Sequence, residues 1–330
     1  MNEEEEKEQL EWESKLEHNL QTRFEYSGAG CIVIDGTFVR EIRGTVLIFG
    51  NWNNYMHALS TEMYDCTRMS FREGPKLNIA KEDHATVTLP NGNVATFGGY
   101  SITGQQRLNV CEVFNVNVNS FFMVGNMFEK RDRPAAVSLS NGLVLITGGN
   151  DGSGGLSSCE IYHPSRNKFY NCKAKMQTGR HGHTATLLPN GKVLICGGYS
   201  ASHSLRTTEI YDPDTNSFSG GPSMIMERYY HTANAFADGR ILIAGGEGNS
   251  SCDSTEIYDP ETDSFLYGPN MRRVRVGHFS VLLPDGRVLI GGGRNNKSKK
   301  TTEIYDPWTK SFSKGGRMLL AHDHSSAALF

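Results

Sequence analysis

A pair of glycines recurs along this 330-residue chain, and its spacing limits the possible folds more than any other feature. The pairs are Gly98-Gly99, Gly148-Gly149, Gly197-Gly198, Gly245-Gly246 and Gly292-Gly293, with Gly50-Asn51 as a degenerate first copy. Successive copies lie 48, 50, 49, 48 and 47 residues apart. Two further markers keep step with them. One is the phrase TEMYD (61–65), CEVFN (111–115), CEIYH (159–163) and TEIYD (208–212, 255–259 and 302–306). The other is an aromatic at Phe71, Phe121, Phe169, Phe218, Phe265 and Phe312. Such a period identifies a repeated structural unit and takes precedence over any reading of its phrases as catalytic motifs.

Each unit predicts four short strands. The run His183-Thr-Ala-Thr-Leu-Leu alternates, and Pro189-Asn-Gly then supplies a hairpin turn. Lys192-Val-Leu-Ile-Cys is nearly all apolar, as a strand buried on both faces requires. Thr208 to Asp212 forms the third strand, and the fourth surrounds Phe218 before a Gly-Pro step and a methionine. Four antiparallel strands in each of six copies are the pattern of propeller blades.

The double glycine, the Glu-x-Tyr-Asp-Pro phrase and the later aromatic resemble the Kelch-repeat family over about residues 44–330. Copies 1 and 3 depart from the pattern, with Asn51 for a glycine and Pro134 for a histidine. The resemblance implies an all-β, six-bladed propeller. His322-Asp-His324-Ser-Ser-Ala-Ala-Leu-Phe330 matches Arg180-His-Gly-His183-Thr-Ala-Thr-Leu-Leu188 and so reads as a C-terminal strand that completes blade 1. This division gives an acidic helical extension over 1–26, striped by Trp12, Leu16, Leu20 and Phe24, and a propeller over 27–330. The strand-like run near Gly30 to Asp35 reads as an added strand or hairpin at about 30–43.

A formal net charge of -3 argues against nucleic acid and anionic membranes as partners. No run approaches the roughly 20 apolar residues of a membrane-spanning helix. The first residues are acidic where a secretory signal is basic and then apolar, which points to the cytoplasm. Seven cysteines without a C-x-x-C pair fit reduced thiols better than a disulfide framework.

The candidate sites are two. Lys81, Arg131, Arg180, Arg228 and Arg275 each stand three residues before the position of His84, Pro134, His183, His231 and His278. In a propeller these groups converge near one channel mouth and there hold a carboxylate, a phosphate or an acidic peptide. The competing structural reading pairs each cation with the equally periodic Glu62, Glu112, Glu160, Glu209, Glu256 and Glu303. The second site is the set of divergent connections after the glycine pairs, where Trp52, Tyr55, Tyr100, Tyr199 and Arg206 are residue types favoured at interfaces. No cofactor is indicated. His181-x-His183 and His322-x-His324 are weak metal candidates, and no copper-oxidase ligand set accompanies Tyr230-His231. The reading is therefore a non-enzymatic interaction module for a protein or peptide, an acidic one among the candidates. The alternative is an enzyme or small-ligand binder of the sugar-acid mutarotase kind, working at a basic channel mouth.

Overall fold

The alternating and apolar runs become strands at the expected places. The computed structural model describes residues 44–49, 59–248, 253–294 and 299–330, together with the backbone of two short paired strands, Ile32–Ile34 and Thr37–Val39. The helix expected over 1–26 lies outside the described residues, as do Trp52 and Tyr55. The architecture is all-β; one short 3-10 turn, Pro164–Arg166, is the helical element among the described residues. None of them forms a helix long and apolar enough to cross a membrane.

Six four-stranded antiparallel sheets repeat along the described chain. Sheet 2 runs Ala85–Thr88, Val94–Phe97, Cys111–Asn115 and Ser120–Met123. Sheet 3 runs Ala135–Ser138, Val144–Thr147, Cys159–His163 and Lys168–Asn171. Sheet 4 runs Thr184–Leu187, Val193–Cys196, Thr208–Asp212 and Ser217–Gly220. Sheet 5 runs Thr232–Ala235, Ile241–Ala244, Thr255–Asp259 and Ser264–Tyr267. Sheet 6 runs Phe279–Leu282, Val288–Gly291, Thr301–Asp306 and Ser311–Arg317. Sheet 1 joins the two ends of the sequence: Ser326–Leu329 pairs with Thr45–Phe49, which is followed by Glu62–Asp65 and Ser70–Glu73.

The second strand of each sheet is the buried one. Val193, Leu194 and Ile195 are fully inaccessible, as are Val144, Leu145 and Ile146 in sheet 3. These strands meet aromatics and methionines of the adjoining sheet, so each hydrophobic cluster straddles two sheets. The first strands of neighbouring sheets contact one another, and Ser326–Leu329 contacts those of both sheet 2 and sheet 6. Their side chains, mostly alanine, threonine and serine, surround a cavity of about 220 Å³ to which all six sheets contribute.

The glycine pairs link one sheet to the next. Gly197 has φ +60, and a Cβ there would collide with the carbonyl of Arg228. Gly198, at φ +99, donates its amide to that same carbonyl at 2.8 Å. The left-handed backbone and the close approach together require glycine.

Candidate functional site

The five repeated cations turn inward. Lys81, Arg131, Arg180 and Arg275 are fully inaccessible and Arg228 nearly so. Lys81 Nζ lies 3.2 Å from Glu112, and Arg131 Nε lies 3.1 Å from Glu160. Arg180 Nη2 is 2.8 Å from Glu209, Arg228 Nε 3.0 Å from Glu256, and Arg275 Nη2 2.9 Å from Glu303. Arg180 also donates to the carbonyls of Gly197 at 2.7 Å and Thr207 at 3.0 Å, clamping the end of the second strand to the start of the third. Glu209 in turn accepts the amides of Gln177 and Thr178 at 2.7 and 3.2 Å. In place of a convergent basic mouth, the repeat builds a buried ion pair at the head of five of the six sheets. None of the five cations lines the central cavity.

The histidines do line it. His183 Nε2 bonds Thr147 Oγ1 at 2.9 Å, His231 bonds Thr184 at 3.0 Å and His278 bonds Thr232 at 3.0 Å. Burial, aided by the adjacent arginine, pushes His231 and His278 down to about 3, and lowers His183 well below its ordinary value. They are neutral imidazoles at pH 7 and offer no positive charge to an anion.

The C-terminal match holds in this register. Ser326 pairs with Phe49 as Thr184 pairs with Cys196, which puts Ser325 in the place of His183. His322 therefore holds the place of Arg180: its carbonyl receives the Gly293 amide at 2.9 Å, and its Nε2 lies 3.6 Å from Glu62. His322 thus continues the series of basic groups, and Ser325, not His324, stands at the histidine position. Neither His-x-His pair converges: His183 bonds Thr147 while His181 packs on Tyr199 at 5.6 Å, and His322 meets Glu62 while His324 meets Asp83. Among the described residues, no three His, Cys, Asp or Glu side chains are placed to hold a metal ion.

The chemistry that departs from the repeat sits two residues past each cation. Asp83, Arg133, Gly182, Tyr230, Gly277 and His324 occupy equivalent positions, all with φ between +51 and +63. Their backbones form a circuit: Arg133 N–H donates to Asp83 O at 2.9 Å, Gly182 to Arg133 at 3.0 Å, Tyr230 to Gly182 at 2.9 Å and Gly277 to Tyr230 at 3.1 Å. Ser325 N–H then donates to Gly277 O at 3.2 Å and Asp83 N–H to His324 O at 3.4 Å. Four of these six left-handed positions carry side chains other than glycine, which costs about 1 kcal/mol or more each.

Those side chains form one polar cluster. His324 Nδ1 lies 2.7 Å from Asp83, Arg133 Nε lies 3.1 Å from the same carboxylate, and Tyr230 stands edge-on to His324 at 4.9 Å. The guanidinium carbons of Arg133 and Arg294 lie 5.1 and 5.8 Å from the Tyr230 ring. Burial opposes ionisation of both members of the pair, but their mutual bond outweighs it, holding Asp83 below and His324 above the ordinary values. Burial, then the Asp83 charge, pushes neighbouring Glu82 up to about 8 and Asp132 up to about 6.

The connections after the glycine pairs reach the same place. Tyr100 pairs with Glu82, Asn150 with Asp132, Tyr199 with His181 and Glu247 with Tyr229. A run of rings follows, Tyr199 to Tyr229 at 5.1 Å and Tyr229 to Tyr230 at 5.1 Å. Tyr100 and Tyr199 are half-buried and Arg206 is exposed. Thus the structure joins Tyr100 and Tyr199 to a mouth cluster that the sequence reading passed over. Its signal was available: Asp83, Arg133, Tyr230 and His324 stand where other copies have Gly182 and Gly277.

The Kelch motif matches residues 133–176, 180–225 and 228–272, within sheets 3, 4 and 5 and the connections that enter them. The chain thus carries three Kelch motifs. It is similar to the Kelch repeat-containing protein kel-10 of Caenorhabditis elegans, 24% identical over 149 residues, which is 44% of this chain and 26% of that protein. A Kelch repeat and BTB domain-containing protein of the same organism, F47D12.7, matches at 24% over 149 residues, again 44% of this chain and 26% of the relative. Kelch-like protein 26 of Danio rerio matches at 25% over 143 residues, 41% of this chain and 23% of the relative. The matched segment thus spans about a quarter of the length of these relatives.

Proposed function

We propose that this Kelch-repeat chain is a six-bladed propeller that binds a protein or peptide partner on the face carrying its variable connections, and that it performs no chemistry itself. The sheets are its blades, and Ser326–Leu329 closes the ring by completing the blade begun at Thr45–Phe49. The backbone circuit through all six sheets supports that closure.

One observation carries the binding reading. The side chains that differ from copy to copy, in the connections and at the mouth, lie together at one end of the cavity, while the cations common to the repeat are buried in ion pairs. A rigid frame with diversity confined to one face is how interaction surfaces are built. Tyr199, Tyr229 and Tyr230 give that face large amphipathic anchors. A sugar-acid site built on the five repeated cations lacks free charge, because each already has a glutamate. The free thiols of Cys66, Cys111 and Cys196, buried and scattered, accord with an intracellular setting for this reading.

The test is affinity capture with the full chain from its native cells. A face variant carrying Tyr100→Ala, Tyr199→Ala and Arg206→Glu is compared with an outer-edge control, Leu266→Ser with Tyr267→Ser. The reading expects captured partners to fall about tenfold or more with the face variant, as loss of interface anchors does, and to persist with the control. Equal capture by wild type and face variant sinks it.

A further inference from the structure

The outer edge of sheet 3 holds a pair of thiols outside the site described above. The register Glu160↔Asn171 sets Cys159 directly opposite Cys172, and the Cys172 amide donates to the Cys159 carbonyl at 3.0 Å. Four sister sheets place threonine and glycine at these two positions: Thr61 and Gly74, Thr208 and Gly221, Thr255 and Gly268, Thr302 and Gly315. The reason is proximity. A Cβ added at Gly74 would lie 3.3 Å from the Thr61 Cβ, and one at Gly268 would lie 3.4 Å from the Thr255 Cβ. A disulfide spans Cβ atoms about 3.5–4.5 Å apart, so this crossing brings two side chains to the near limit of bridging distance. Sheet 2 has Cys111 facing Val124 across the same crossing. Among the described residues, sheet 3 alone sets thiol against thiol.

We propose that Cys159 and Cys172 are a modification site, closing to a reversible intramolecular disulfide under a low-molecular-weight disulfide oxidant such as oxidised glutathione. The two thiols are free and stand opposite one another across the ladder. Cys159 is buried at 2% exposure, with its Sγ 3.5 Å from the Ala174 carbonyl, whereas Cys172 is half-buried on the outermost part of the sheet. The neighbouring Cys172 thiol, with burial, raises Cys159, so it stays a protonated thiol and the more accessible Cys172 reacts first. Lys173 and Lys175 are exposed beside it and favour the approach of an anionic oxidant.

The step balances through a mixed disulfide. Cys172 thiolate attacks one sulfur of oxidised glutathione and expels a glutathione thiolate. Cys159 gives up its proton, attacks the Cys172 sulfur and expels the second glutathione. Two protein thiols are oxidised, one glutathione disulfide is reduced, and the two thiol protons end on the two glutathiones.

The experiment incubates the full chain in glutathione buffers of graded oxidised fraction, then alkylates and maps the peptides by mass. The expected result is joint loss of two of the seven alkylatable thiols, as one cross-linked species two hydrogens lighter that dithiothreitol reverses. Cys159→Ser should instead trap Cys172 as its glutathione mixed disulfide. The proposal is overturned if wild type accumulates that mixed disulfide with Cys159 still alkylatable. It is equally overturned if both cysteines remain alkylated in the most oxidising buffer; this wild-type readout needs no variant to fold.

Discussion

Arg180 shows what a repeated residue does. Fully buried, it bonds Glu209 and two backbone carbonyls, so its charge serves the joint between strands. Removing one partner of a buried ion pair strands the other and costs about 3–5 kcal/mol. We expect Arg180→Met to lose stability of that order in urea denaturation, and Arg180→Met with Glu209→Gln to recover part of it. A loss below about 1 kcal/mol, the range of exposed pairs, would mean that the pair is not the brace described. The periodic match of cation and glutamate was legible in the sequence, which left open whether the pairs formed. Burial decides it, since a charge inaccessible to water requires a counter-charge. The mouth cluster was harder to see, because Asp83, Arg133, Tyr230 and His324 have no common chemistry and share only a left-handed backbone.

Among the elements, the last strand is the most informative. Ser326–Leu329 covers Thr45–Phe49, whose Leu47 and Phe49 are fully inaccessible. Deleting residues 322–330 uncovers that edge, opens the cavity wall and removes the His322–Glu62 contact. Unpaired strand edges invite association. Size-exclusion chromatography of the truncated chain should show concentration-dependent oligomers, and its thermal transition should broaden and fall. An unchanged monomeric elution and melting temperature would contradict this role. The pairing partner and its register were both readable from the match of residues 322–330 to 180–188. The ladder to Thr45–Phe49 and the Gly293 bond hold that register, since a slip of one residue would turn every side chain to the other face.

For the whole molecule, the buried titratable groups predict a stability maximum in pH. His84, His231 and His278 are held near 3 by burial, against about 6.5 in the unfolded chain. The unfolded state therefore binds more protons below about pH 6.5, and their contribution is lost as pH falls toward 3. Glu82, raised by burial to about 8 from an unfolded value near 4.3, acts in the opposite sense. Its neutral form is the native one, so stability falls as pH rises through that interval. His324, raised by Asp83, adds to the same alkaline loss as it deprotonates. Melting temperature should peak near about pH 6.5, and Glu82→Gln should flatten the fall between pH 7 and 8. A Glu82→Gln profile parallel to wild type would refute the assignment.

The sequence by itself determined the repeat, its four strands, the buried second strand and the glycine joints, because period, alternation and backbone permissiveness are local properties of the chain. Tertiary structure alone decided that Lys81 and its four counterparts face glutamates, that His322 meets Glu62, and that one mouth gathers Asp83, Arg133, Tyr230 and His324 from different sheets. Those outcomes depend on which side chains lose water together, and that is settled only when distant segments pack.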